Sequence, residues 1–193
     1  MQSTTKVTDA FRLQMNRARQ MLDGKVGLVG YGVIEVRRQG VLRQSIPFTN
    51  LITTAGDQYY AQKGIVGVSP TNPSAPTVAS GMKLGTGATA AAKSGAGGAL
   101  VTYKTASNVV FDATFPSAAA VGGDAGWNAT YKSTWAAGVA TDAALTEAVL
   151  VNDAAANATS IAANTYARVL FSAVNKGALD SLSITWTHKF LGA

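Results

Sequence analysis

Residues 181–190, SLSITWTHKF, alternate: Leu182, Ile184, Trp186 and His188 fall on one side of an extended chain, and Ser183, Thr185 and Thr187 on the other. A helix cannot keep a period of two on one face, so the segment predicts a strand with a core side and a wetter side. Runs rich in Val, Thr, Ile, Tyr, Phe or Trp recur at 26–36, 41–48, 82–84, 100–115, 127–136, 145–152 and 160–174, with Gly, Asp, Asn and Ala between them. Many short strands with turn signals between them predict a mainly β chain, a sandwich or barrel, and not βαβ units. The first two runs, joined by a turn at Arg38–Gly40, read as a hairpin; its three glycines suggest a bulge, and Pro47 marks its end or an edge. Residues 50–64 read as one short connecting helix, with Leu51, Ala55, Tyr59 and Gln62 roughly on one face, although Gly56 costs about 1 kcal/mol in a helix interior. Pro70, Pro73 and Pro76 make 67–80 a loop.

Ahead of the strands lies a different pattern. Phe11, Met15, Ala18 and Leu22 line one helical face, with Thr8 as N-cap, Asp9 at the positive end of the dipole and Gly24 as the stop. Arg12 and Arg19 flank the stripe. Residues 1–45 hold eight basic and three acidic groups, whereas the rest of the chain holds eight and seven, so most of the net charge of +6 sits at this end. The chain therefore divides into a basic N-terminal helical arm, 1–24, and a β-domain, 25–193. Phe11, Arg12, Met15, Arg17, Arg19 and Leu22 are the candidate partner-docking residues. Such a helix can pack on its own domain or act as a docking arm; as an arm it suits an acidic protein surface or nucleic acid, but it lacks the aromatic interleaving that stacks bases, so direct nucleic-acid binding is not expected.

Only 13% of the 193 residues are charged, against about 25% in an ordinary soluble domain; Ala, Gly, Ser and Thr take their place. A surface of small neutral residues suits a chain packed against neighbours. Cysteine is absent, which removes disulfides and thiolate metal sites. No apolar run approaches the roughly 20 residues that cross a bilayer, so no membrane partner is expected. Arg12, Gln14, Asn16, Arg17 and Arg19 interrupt any signal-peptide core. Trp127, Tyr131, Trp135, Tyr166, Phe171 and Trp186 are the expected buried anchors.

A search for reactive chemistry gives no site. His188 is the single histidine, and no GxSxG turn accompanies it. Asp112, Asp124, Asp142, Glu147, Asp153 and Asp180 are scattered, with no spacing that argues for acid–base work. Gly87–Ser94, GATAAAKS, approaches the phosphate-loop pattern, but Ala92 replaces its second glycine and Gly95, Gly97 and Gly98 follow where a helix should begin. Asn128-Ala-Thr130 and Asn157-Ala-Thr159 fit the glycosylation triplet, a frequent coincidence in this composition. No enzyme activity, cofactor or metal is expected.

Six segments, in order, carry a resemblance: NLITTAG (50–56), KLGTGATAA (83–91), FDATFP (111–116), TEAVLVN (146–152), YARVLFSAVNKG (166–177) and DSLSITW (180–186). Together they resemble small virion structural proteins of tailed bacteriophages, labelled head-decoration or tail-fibre-associated. The resemblance spans about Val33 to Leu191. It implies a β-sandwich (jelly-roll-like) that packs with copies of itself, and it carries no catalytic residues. The 67–80 loop, the Gly122–Trp135 stretch and the long N-terminal arm depart from that pattern. The expectation is a capsid decoration (cement) protein in the virion, a homotrimer on the major capsid protein, with a tail fibre, baseplate or adaptor protein as the alternative.

Overall fold

The computed structural model describes residues 27–64, 77–121 and 126–191. The expected arm, 1–24, with Phe11, Arg12, Met15, Arg17, Arg19 and Leu22, lies outside them, as do the three prolines of the 67–80 loop.

The described chain is mainly β. Nine strands run β1 Gly27–Arg38, β2 Val41–Ile52, β3 Gly81–Gly85, β4 Val109–Val110, β5 Ser117–Ala120, β6 Gly126–Trp135, β7 Asp142–Val151, β8 Thr165–Lys176 and β9 Asp180–Leu191, with helix α1, Thr54–Gly64, after β2. They form one sheet in the order β4-β3-β7-β8-β2-β1-β9-β6-β5, and each neighbouring pair is antiparallel.

The sheet curls into a half-barrel because β2 serves both halves. Residues 41–50, except Arg43 at the register shift, pair with β1, and Leu51 and Ile52 then pair with Arg168 and Ala167 of β8 respectively. The far edge curls back towards β6: Asp112 N donates to Lys132 O at 2.8 Å, and Ser133 Oγ to Val110 O at 3.1 Å. Trp135 Nε1 donates to Ser107 O at 2.6 Å. One core fills the concave side, with Ile34, Met82, Leu84, Leu145, Leu150, Val174, Leu182 and Ile184 all buried.

The C-terminal alternation is obeyed: Leu182, Ile184, Trp186 and His188 are all fully buried. The glycines of β1 do not make a bulge; the register slips instead between Val36 and Arg37. Gly32 lies between Phe48 on β2 and Trp186 on β9, whose rings meet edge-to-face at 5.1 Å. A Cβ at Gly32 would lie 2.5 Å from Phe48 Cζ. Gly30 is overlaid in the same way by Asn50, whose Oδ1 accepts from Trp186 Nε1 at 2.8 Å. The glycines are thus a trough that larger neighbours fill.

Other boundaries need correction. Strand β2 runs past Pro47 to Ile52, because β8 joins β2 only at 51–52 and proline on the open side loses no ladder bond. Helix α1 begins at Thr54, not 50, because Thr53 Oγ1 accepts from Gly56 N at 3.1 Å and caps it. Gly56 is needed there: a side chain would collide with the Tyr166 carbonyl. The 100–115 run is largely loop, with only Val109–Val110 as strand and one bridge at Tyr103. The turn after β1 has positive φ at both Gln39 and Gly40, as a type I′ hairpin requires.

Candidate assembly surface and buried polar sites

Many of the ionisable side chains are turned inward and satisfied by the chain itself. The row facing away from the core on β3, β7 and β8 carries Lys83, Glu147 and Arg168, all fully buried because residues 86–108 fold over that face. Arg168 grips Glu147 with two nitrogens, Nη2 at 2.8 Å and Nε at 3.1 Å from Oε2. Three backbone amides complete the carboxylate shell: Thr102 N at 2.8 Å and Gly87 N at 3.0 Å to Oε1, and Val101 N at 3.2 Å to Oε2. Arg168 Nη1 then donates to Gly97 O at 3.1 Å.

This explains the phosphate-loop likeness of Gly87–Ser94. Its glycine amide does cradle an anion, but the anion is the chain's own carboxylate. A Cβ at Gly85 or Gly87 would meet Glu147 Oε1 at 2.6 and 2.5 Å respectively. Lys83 is satisfied likewise, by Asp153 Oδ1 at 3.1 Å and Ala158 O at 2.9 Å.

His188 sits in the core beneath α1. The Tyr60 hydroxyl bridges its Nδ1 and the Tyr131 hydroxyl, the latter at 2.8 Å. Its Nε2 is buried without a hydrogen bond. Burial lowers the His188 pKa to about 3 and raises those of both tyrosines, Tyr131 to about 12. A neutral imidazole boxed in by Tyr60, Tyr131 and Trp186 is a packing group. Of the acids, Asp180 pairs with Arg38 at 2.7 Å, Asp142 with Lys104 at 3.1 Å, and Asp112 accepts from Thr134 at 2.7 Å. Among the described residues no three His, Cys, Asp or Glu side chains gather in a way that could hold a metal. No described helix is long and apolar enough to cross a membrane.

What remains outside is sparsely charged. Among the described residues, Arg38, Arg43, Asp57 and Lys93 are well exposed, and the side chains of Arg37 and Lys132 are open to solvent as well. Of the expected anchors, Tyr131, Trp135, Tyr166 and Trp186 are buried. Phe171 is half-buried. Trp127 is not an anchor: it stands at the rim of the half-barrel, 58% exposed, because it pairs with Ala120 of β5, the last strand of the sheet among the described residues. Strand β5 itself escaped the sequence reading, since Ser-Ala-Ala-Ala carries no β-branched or aromatic signal. The triplet residue Asn128 lies within β6, and Asn157 Oδ1 accepts from Tyr103 and Ala106.

Comparison of the chain with protein-family models, with curated proteins and with solved structures gave no match.

Proposed function

We propose that this chain is a non-enzymatic structural component of a tailed bacteriophage virion: a capsid decoration (cement) protein that binds and stabilises the major capsid shell as an oligomer, expected to be a homotrimer. The observation that carries the reading is the disposition of charge. Lys83, Glu147, Arg168 and Lys176 are fully buried, and the outer surface presents mostly small neutral side chains. Such a surface is cheap to desolvate over a broad contact, as a shell subunit requires.

The curled sheet, with both halves packed on one core, we read as a jelly-roll-like sandwich. The basic arm, 1–24, is the clamp for capsid subunits, and an oligomer presenting several arms gains avidity. The packed, neutral surroundings of His188 support a role without turnover.

Deleting residues 1–24 tests the reading. The expected result is a folded β-domain, judged by its thermal transition, that no longer binds capsid shells. Normal decoration by the truncated protein rejects the arm. Imaging of labelled protein on intact particles separates head from tail, and a tail location rejects decoration in favour of a fibre, baseplate or adaptor role.

A further inference from the structure

The two ends of the sheet are finished differently. Strand β4 is two residues long, and the chain just after it is tied to β6. Strand β5 pairs with β6 through Ser117–Thr130, Ala118–Ala129, Ala119–Asn128 and Ala120–Trp127, and all four of its residues are exposed. Strand β5 carries no charge, no bulge and no proline of its own; its protections are its four-residue length and Pro116 immediately before it. The neutrality extends beyond the strand. Residues 113–121 and 126–131 contain no Asp, Glu, Lys or Arg, and residues 122–125 between them contain one, Asp124. In a chain of net charge +6, this is a stretch where two copies meet without like charges opposed.

We infer that β5 is a self-association edge, pairing antiparallel with β5 of a second copy of this chain and joining two sheets across a two-fold axis. The partner follows from complementarity. An antiparallel pair of identical strands matches each unpaired donor with an acceptor by symmetry. Paired residues must share a face, so the axis passes through Ala118 or Ala119, and small side chains lie opposite small ones. The exposed Trp127 of each copy stands beside the seam. Four residues make a weak contact by themselves, well short of the roughly 1,200 Å² of a stable interface. In free protein the pairing is therefore transient, enough for a cross-link to trap, and it is strengthened between copies already held on a common surface. The inference rests in that respect on the assembly reading, and supplies it with a lateral contact distinct from any three-fold one.

The absence of cysteine makes the test clean. Across an antiparallel pair the Cα atoms lie about 4.5–5.5 Å apart, within disulfide range. Full-length Ala118→Cys and Ala119→Cys proteins are oxidised and run on non-reducing gels beside Ala143→Cys, an exposed control remote from β5. The expected result is that one of the two β5 variants gives covalent dimer at least tenfold faster than the control, with thermal midpoints unchanged. Equal rates for all three proteins overturn the inference. If the β5 variants fail to cross-link while the protein is still found on purified particles, self-pairing falls and the assembly reading stands. If they cross-link but the protein is missing from particles, self-pairing stands and the assembly reading falls.

Discussion

His188 stays neutral because burial penalises the imidazolium, which moves its pKa down to about 3 from an ordinary value near 6.5. The unfolded chain therefore takes up a proton that the folded chain refuses. Stability from this group is complete above about pH 6.5 and falls with pH towards 3, by up to about 1.4 kcal/mol per unit. Urea midpoints should drop between pH 6.5 and 5, above the carboxylate range, and His188→Gln should flatten that slope. Glu147 presents the other residue-scale case. Its removal leaves Arg168 buried and uncompensated and frees three amides of the covering loop. Glu147→Ala should cost about 3–5 kcal/mol in denaturant unfolding and speed tryptic cleavage after the exposed Lys93. An unchanged cleavage rate would show that the loop is held by other contacts. The sequence displayed the glycines of this loop but not the carboxylate they serve, because Glu147 lies 60 residues from Gly87.

Among the elements, β1 shows how composition misleads. Its glycines weaken it as an isolated strand, yet it is central, paired along its length with β9 and over most of it with β2. The missing side chains are replaced by Phe48, Asn50 and Trp186 reaching across. Gly32→Ala should therefore destabilise by about 1–3 kcal/mol through overpacking, although alanine is better than glycine by strand propensity; a neutral or stabilising result in thermal unfolding would contradict the trough. Helix α1 is fastened by residues outside it. Thr53 caps it, Tyr59 stacks on Tyr166 at 4.6 Å, and Tyr60 enters the core. Its presence was legible, but its starting residue was not: Leu51, placed on its face by spacing, belongs to β2, since 50–52 are claimed by the sheet.

Taken as one molecule, the two halves of the half-barrel share β2 and one core, so neither can open alone. Far-ultraviolet and near-ultraviolet circular dichroism should report a single coincident unfolding transition, and two separated transitions would mean that the halves are independent units. Sequence alone determined the β character and the inward face of β9, because alternation is a local property that burial of one face imposes on consecutive residues. It also located the connecting helix and the excess of charge before residue 46. Tertiary structure decided the rest. Pairing β2 with β8 made one curled sheet, the Ser-Ala-Ala-Ala run became an edge strand, and Trp127 was left at a rim while Glu147 was drawn inside. Those outcomes depend on which distant strands become neighbours. Strand pairing is a long-range choice, and no window of adjacent residues encodes it.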